Sequence, residues 1–216
     1  KMKILLIGAS GLIGSKLLEQ MLLDPEITSV VLFVRRPIPL EHSKIEQHII
    51  NFQALNDYAK YFTGDALVCA LGTTRSKTPN QSDYREIDLE YTIAAAKLAK
   101  DNSIKQIHLI SSMGANPKSN VFYSALKGEI ETLIIELKFD KTTIYRPSIL
   151  IGERSESRPI EKLSQKLNWL YDPLLFGSLK KYRSIRAEQV ATKIISDIKK
   201  NNKGVVILDS SEIKLP

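Results

Sequence analysis

A tyrosine and a lysine stand four residues apart at Tyr123 and Lys127, and two adjacent serines, Ser111 and Ser112, precede this pair. On an α-helix, residues spaced four apart lie on one face, so the phenol and the ammonium are expected to be neighbours. A nearby positive charge lowers the pKa of a phenol, which suits Tyr123 to general acid or base chemistry near neutral pH. Such a pair also arises by chance in a lysine-rich chain, so its place after a predicted strand is what carries the inference.

Three glycines near the N-terminus, Gly8, Gly11 and Gly14, follow a predicted strand and open a predicted helix. A turn of this kind allows close backbone approach to a pyrophosphate and directs the amides of the helix N-terminus at the anion. A glycine-rich turn without a ligand is the alternative, but the strand before it and the helix after it favour a dinucleotide site. The expected cofactor-binding residues of the turn are Gly8, Ser10, Gly11, Leu12, Ile13 and Gly14.

Two arginines, Arg35 and Arg36, end the second predicted strand, where NAD-preferring sites usually carry an acidic residue. The first acidic residue after them is Glu41. Two guanidinium groups at this point suit a 2′-phosphate and can stack on adenine, which favours NADP over NAD. The alternative is a pair of solvated loop arginines.

The end of the fourth predicted strand, Leu71, Gly72 and Thr73, is the third expected cofactor contact. A glycine at the carboxyl edge of a parallel sheet lets the backbone approach the cofactor ribose. The nearby Cys69 is expected to be a small buried hydrophobe.

The alternation of strand-length apolar runs with stretches of helical period predicts an α/β fold, a doubly wound and mostly parallel sheet of the Rossmann type. We expect one domain over residues 1–216, with an irregular substrate-covering insertion at about 151–181. The predicted strands are Lys3–Ile7, Ser29–Val34, Gln47–Asn51, Ala66–Leu71, Gln106–Ser111, Thr142–Arg146 and Val205–Leu208, and the predicted helices are Leu12–Leu23, Asp83–Lys100, Val121–Leu137 and Ala187–Lys200.

The charge distribution, the apolar runs and the few cysteines and histidines argue against nucleic-acid binding, membrane insertion and a metal site. The formal net charge is +7, but eight basic and two acidic residues lie between Gly177 and Lys203, where apolar residues at helical spacing indicate an amphipathic helix with a lysine face. No nucleic-acid-binding motif accompanies this charge, and no apolar run is long enough to span a bilayer. One cysteine and three histidines without ligand spacing predict no metal site. The expected location is the cytoplasm.

Longer runs of sequence resemble a known family. GASGLIG from Gly8, YSALK from Tyr123 and YRPSILIG from Tyr145 resemble the short-chain dehydrogenase/reductase superfamily. The runs CALGTTR, LISSMGANPKSNVFYSALKGEIE and YRPSILIGERSESRP resemble its atypical branch, which includes the Tat-interacting-protein-like oxidoreductases. The resemblance extends over about residues 3–200.

This resemblance implies a Rossmann fold that binds NADP(H) at the glycine turn. It also implies that Tyr123 is the proton donor or acceptor, that Lys127 contacts both the nicotinamide ribose and the phenol, and that Pro147 lies beside the nicotinamide. Either Ser112 or Ser111 would donate a hydrogen bond to the substrate oxygen.

The expected function is therefore an NADP(H)-dependent oxidoreductase that transfers hydride to or from a small carbonyl or alcohol substrate. The alternative is a regulatory module that senses NADP(H) and interacts with another protein, with little or no turnover. A small molecule is the expected partner, nucleic acid and membrane are not, and the chain is expected to be a monomer or a homodimer.

Overall fold

A parallel sheet of seven strands forms the centre of the molecule, and all its neighbouring strands run in the same direction. The computed structural model describes residues 1–73, 78–151 and 183–214. The strand order is β3-β2-β1-β4-β5-β6-β9, and β7 and β8 form a separate parallel pair. The strands are β1 Met2–Ile7, β2 Ile27–Val34, β3 Ile45–Ile49, β4 Ala66–Cys69, β5 Gln106–Ile110, β6 Lys141–Arg146, β7 Leu150–Ile151, β8 Ile185–Arg186 and β9 Gly204–Asp209.

Helices cover both faces of this sheet, as expected where the central strands carry apolar residues on both faces. In β1, Ile4 and Leu6 pack on one face and Leu5 and Ile7 on the other, and all four are fully buried. The described helices are α1 Leu12–Leu23, α2 Gln81–Arg85, α3 Tyr91–Asp101, α4 Phe122–Glu136, α5 Ala187–Ile198 and α6 Ser210–Ile213, with a 3-10 helical segment at Phe52–Tyr61 and a π-helical turn at Glu86–Glu90. Helices α1 and α5 cover one face, and α3, α4 and the 3-10 segment cover the other.

The predicted fold class is confirmed, and α1 has the predicted bounds. The third strand begins and ends two residues earlier than predicted, at Ile45–Ile49, and the fourth ends at Cys69 rather than Leu71. The 3-10 segment was not predicted, because its buried residues Phe52 and Leu55 are too few to show a helical period. Of the predicted insertion at 151–181, only Ile151 lies within the described residues, where it pairs with β8.

The predicted helix Asp83–Lys100 is interrupted by the π-helical turn. The amide of Tyr91 donates to the carbonyl oxygen of Glu86, five residues earlier, so this turn contains one residue more than an α-helical turn. Asp88 and Leu89 of the widened turn are both buried. An apolar period cannot reveal this interruption, because α2 and α3 continue on either side of it.

Cys69 occupies the centre of the sheet at the end of β4, where it is paired with Ile7 of β1 and Leu109 of β5. Its side chain is buried, which confirms the sequence-based prediction, and burial raises the pKa of its thiol. Within residues 1–73, 78–151 and 183–214, no group of three or more histidine, cysteine, aspartate or glutamate side chains could hold a metal ion. None of the helices in the described ranges is long and apolar enough to cross a membrane.

A polar cluster lies between α5 and the sheet and is centred on the buried Asp197, near the C-terminal end of α5. Lys193 and Lys200 each donate to Asp197 Oδ1 over 2.8 Å, and the Tyr145 hydroxyl donates to Oδ2 over 3.2 Å. The ring of His108 lies beyond, with Nδ1 3.0 Å from the Tyr145 oxygen, and burial lowers the pKa of His108 to about 3. Part of the basic excess of the C-terminal region is therefore neutralised by ion pairs.

Removing the charge at Asp197 is expected to destabilise the fold. Burial raises the pKa of this carboxyl group, but the bonds from Lys193 and Lys200 outweigh it, so the pKa lies below its ordinary value. The carboxylate therefore stabilises the native state above its unfolded pKa, and the stabilisation is lost as pH falls through the lower native pKa. We expect Asp197→Asn to lower the free energy of unfolding by about 2 to 3 kcal/mol at neutral pH, because it removes the negative charge that balances Lys193 and Lys200 and puts an amide donor in place of one acceptor oxygen.

Urea denaturation at neutral pH and in acid measures this effect. The exposed Asp101→Asn is the matched control and should change stability by less than about 0.5 kcal/mol. Equal stability of Asp197→Asn and the wild type at neutral pH would refute the stabilising role of the carboxylate.

Candidate functional site

The glycine turn between β1 and α1 brings three backbone segments into contact. Gly8 has a φ of +86°, and a Cβ atom there would lie 2.4 Å from the carbonyl carbon and oxygen of Ala70. A Cβ at Gly14 would lie 2.1 Å from the carbonyl oxygen of Gly8. Both positions require glycine, because no side chain fits between backbones at these distances.

The N-terminus of α1 begins directly after this turn. Gly11 is its N-cap and has no side chain to accept a hydrogen bond from the first amides of the helix. Ser10 and Gly11 are exposed, Leu12 is half-buried, and Ile13 packs into the core. The backbone of the turn therefore presents uncapped amides at the positive end of a twelve-residue helix, which fits a pyrophosphate.

The two arginines lie at the same edge of the sheet, directly after β2, and both are exposed. Arg35 is near enough to Tyr91 that its charge opposes the rise in the pKa of this phenol, which burial and the bond to Glu86 cause. Gly72, after β4, is also exposed, and a Cβ there would meet no atom within 4 Å. Arg35, Arg36 and Gly72 therefore leave room for a ligand beside the glycine turn.

Thr73, which follows Gly72, is fixed by three hydrogen bonds. Its amide donates to Asp88 Oδ1 over 2.7 Å, and its carbonyl oxygen accepts from the Tyr84 hydroxyl over 2.9 Å. Its own hydroxyl lies 2.8 Å from that of Thr78. The segment after β4 is thus attached to the π-helical turn and to α2.

The first two turns of α4 carry Tyr123 and Lys127, and the structure brings these side chains together. Lys127 Nζ lies 5.8 Å from the centre of the Tyr123 ring and 2.8 Å from Asp88 Oδ2. Tyr123 is 41% exposed, whereas Lys127 is only 5% exposed. Burial lowers the pKa of Lys127, but the charge of Asp88 and the contribution of Tyr123 outweigh it, so the pKa lies above its ordinary value. Lys127 is therefore an ammonium ion beneath an accessible phenol.

The two serines after β5 have different surroundings. The Ser111 hydroxyl is buried and donates to Glu131 Oε1 over 2.5 Å, and Glu131 also accepts two bonds from Arg146. The Ser112 hydroxyl is shielded from solvent, and no described residue offers it a hydrogen-bond partner. A buried hydroxyl without a partner is costly, so Ser112 is the serine with an unused donor for a ligand.

The loop between β5 and α4 places Ser112 at the same sheet edge as Tyr123. The amide of Met113 donates to the carbonyl oxygen of Pro147 over 3.0 Å, and the amide of Asn116 donates to that of Ser124 over 2.9 Å. This loop is therefore attached both to the end of β6, where Pro147 lies, and to the first turn of α4. The loop can approach α4 closely because residue 128 is a glycine: a Cβ atom at Gly128 would lie 2.2 Å from the nitrogen of Pro117.

A cavity of about 360 Å³ opens beside Tyr123. Its polar lining includes Thr73, Thr78 and Gln81. Most of its lining is apolar or aromatic, contributed by Pro79, Tyr84, Val121, Phe122 and Tyr123. A small ligand with an apolar body fits such a wall.

Asp88 was not predicted as a site residue. It belongs to a run of acidic residues, Asp83, Glu86, Asp88 and Glu90, that resembles a solvated helix face. The spacing of Asp88 is the signal that could have identified it as buried. Asp88 stands four residues before Thr92 and eight before Ala96, and both of these are buried. A charged residue in register with a buried face indicates a buried partner, here Lys127.

The sequence matches the profile of the NAD(P)H-binding family over residues 8–162. Protein HTATIP2 of Rattus norvegicus is 37% identical over 180 residues, which cover 82% of this chain and 71% of the rat protein. The Candida albicans relative named Protein FMP52, mitochondrial, is 34% identical over 186 residues, which cover 83% of this chain and 81% of the Candida protein.

Solved structures share the fold at lower identity. MoeE5 in complex with UDP-glucuronic acid and NAD superposes with a TM-score of 0.75 at 15% identity, covering 95% of this chain and 75% of MoeE5. UDP-glucuronic acid 4-epimerase from Bacillus cereus in complex with NAD superposes with a TM-score of 0.70 at 19% identity, covering 98% of this chain and 78% of the epimerase. The chain belongs to the NAD(P)H-binding family, as an atypical short-chain dehydrogenase/reductase of the Tat-interacting-protein-like branch.

Proposed function

We propose that this protein is an NADP(H)-dependent oxidoreductase that transfers hydride between the nicotinamide and a carbon of a small carbonyl or alcohol substrate. The observation that carries the proposal is the grouping at one sheet edge of an accessible phenol, a buried ammonium and a shielded, unpartnered hydroxyl. These groups are Tyr123, Lys127 and Ser112, and the glycine turn lies at the same edge. Membership of the NAD(P)H-binding family supports the cofactor class.

Each side chain has one role in this proposal. NADP(H), when bound, supplies or takes up the hydride. Tyr123 gives a proton to the substrate oxygen in reduction and removes it in oxidation, and Ser112 donates a hydrogen bond to the same oxygen. Lys127, whose Nζ lies 5.8 Å from the centre of the Tyr123 ring, places a positive charge beside the phenol and orients the nicotinamide ribose.

The proposed cofactor-binding residues follow the geometry of the edge. The backbone of Gly8, Gly11 and Gly14 with Ser10, Leu12 and Ile13 would hold the pyrophosphate, and Leu71, Gly72, Thr73 and Pro147 would lie along the ribose and nicotinamide. Arg35 and Arg36, exposed after β2, would bind the 2′-phosphate of NADP. The structural neighbours crystallised with NAD support the fold alone.

The cavity beside Tyr123 supports a small uncharged substrate with an apolar body. Aromatic side chains surround it on the described side, and the hydroxyl groups of Thr73 and Thr78 already bond each other. A monomer or homodimer and a cytoplasmic location remain predictions, and the fungal relatives carry the word mitochondrial in their names.

Cofactor preference is tested by the double variant Arg35→Ala/Arg36→Ala. We expect its Kd for NADPH to rise about tenfold to a hundredfold, because charge-assisted bonds to the 2′-phosphate are lost, while its Kd for NADH stays within about twofold. Fluorescence titration of both cofactors measures this. The control variant Lys97→Ala removes an exposed charge from α3 and should change neither Kd. If the double variant lost as much affinity for NADH as for NADPH, the assignment of the two arginines to the 2′-phosphate would be contradicted.

The catalytic assignment is tested by Tyr123→Phe. Turnover should fall by a factor of about 10² to 10⁴ with little change in NADPH affinity, since the hydroxyl group alone is removed. NADPH oxidation with a panel of aromatic aldehydes, ketones, quinones and sugars provides the assay. Undiminished turnover in this variant would remove Tyr123 from the mechanism, and NADPH binding without turnover of any compound by the wild type would favour a cofactor-sensing module.

The two serines are separated by a matched pair of variants. Ser112→Ala should reduce turnover by about 10²-fold without lowering stability, because its hydroxyl has no described partner to lose. Ser111→Ala should retain turnover and lower the free energy of unfolding by about 1 to 2 kcal/mol, because Glu131 loses a donor. If Ser111→Ala lost turnover and Ser112→Ala retained it, Ser111 would be the substrate-binding hydroxyl instead.

A further inference from the structure

The carboxylate of Asp88 joins two parts of the site that are distant in sequence. Its Oδ1 accepts from the Thr73 amide over 2.7 Å, and its Oδ2 lies 2.8 Å from Lys127 Nζ. The side chain of Asp88 is fully buried, and that of Lys127 is 6% exposed. Oδ1 of this buried carboxylate therefore holds the segment after β4 by a hydrogen bond, and Oδ2 holds α4 by an ion pair.

The π-helical turn brings this carboxylate into position. The wide turn of Glu86–Glu90 buries Asp88, whereas Glu90 of the same turn is exposed. Tyr84, one helical turn earlier, donates to the Thr73 carbonyl oxygen and packs edge-to-face on Tyr123 with 6.3 Å between ring centres. A distortion of this kind in a helix is frequently found at functional sites.

We propose that Asp88 is a positioning residue that keeps Lys127 an ammonium ion directly beneath Tyr123 and fixes the Thr73 segment to the same point. Its catalytic consequence rests on the proposed function, but its effect on the charge and position of Lys127 does not. Asp88 itself does not contact the reacting atoms in this arrangement; it acts through Lys127.

Among the charges around Lys127, that of Asp88 favours the ammonium ion most strongly. Tyr123 and Glu131 face it from its own helix, and Asp88 faces it from the π-helical turn. The charge of Glu131 is already paired with Arg146 from β6 through two bonds. Burial disfavours the ammonium ion, so removing the Asp88 charge leaves little to retain the proton.

A side-chain NMR titration tests this directly. In protein carrying ¹⁵N-labelled lysine, the Lys127 resonance is assigned by its loss in Lys127→Arg. In the wild type it should titrate no earlier than the exposed lysines. In Asp88→Asn, which keeps the size and the acceptor for Thr73, its midpoint should fall by about one to two pH units or more.

Two further variants separate charge from structure. Glu90→Gln removes the same charge from the exposed side of the same turn and should leave the Lys127 midpoint unchanged. Asp88→Glu restores the charge and should return the midpoint toward the wild-type value. The turnover of Asp88→Asn should decline with rising pH earlier than that of the wild type, by the same interval as the shift in the Lys127 midpoint.

The outcomes are distinguishable. An unchanged Lys127 midpoint in folded Asp88→Asn overturns the proposal. A wild-type Lys127 that loses its proton before the exposed lysines also overturns it. The wild-type measurement decides the question even if Asp88→Asn does not fold. Failure of the wild type to bind NADPH would refute the proposed function while the NMR titration still decides the role of Asp88.

Discussion

Three backbone segments meet at the carboxyl edge of the sheet without room for a side chain, and the arrangement of the site depends on this contact. Gly8 approaches Ala70, and Gly14 approaches Gly8, at distances that no Cβ tolerates. The contact sets α1 against the ends of β1 and β4, where the strand order reverses direction. Open α/β sheets bind ligands at such a reversal, because the loops on its two sides diverge and leave a crevice. Larger residues at these two positions would force the segments apart.

Two buried carboxylates, Asp197 and Asp88, draw their partners from different parts of the chain. Asp197 accepts bonds from Lys193 of its own helix and from Lys200 just after it, so these partners are local, and it holds α5 to β6 through Tyr145. At the carboxyl edge, Asp88 and Lys127 come from different helices. An ion pair between elements fixes their relative position, which is what a site assembled from several loops requires.

The sequence predicted most accurately the elements whose signals are local and strong. The strand β1, the glycine turn and α1 were predicted together because apolar runs and glycines mark their bounds. The position of β3 and the division of the helix after Pro79 were not predicted, since a half-buried edge strand and a π-helical turn leave the apolar period almost unaltered. Residue spacing placed Tyr123 beside Lys127, yet it could not choose between Ser111 and Ser112. That choice depends on Glu131, which is twenty residues away in sequence and contacts Ser111 only in the folded chain.

The burial of Cys69 gives the molecule an internal reporter. It is the single thiol in the chain, its pKa is raised by burial, and it lies between β1 and β5 in the middle of the sheet. Its side chain lies on the face of the sheet that α3, α4 and the 3-10 segment cover, so a thiol reagent reaches it only when this layer moves away from the sheet. Its rate of modification therefore measures how often that opening occurs. Ala70, the next residue, lies against Gly8, so a ligand that stabilises the glycine turn is expected to make this opening rarer. The reactivity of one sulfur atom is therefore expected to report ligand binding at the glycine turn without any label added to the protein.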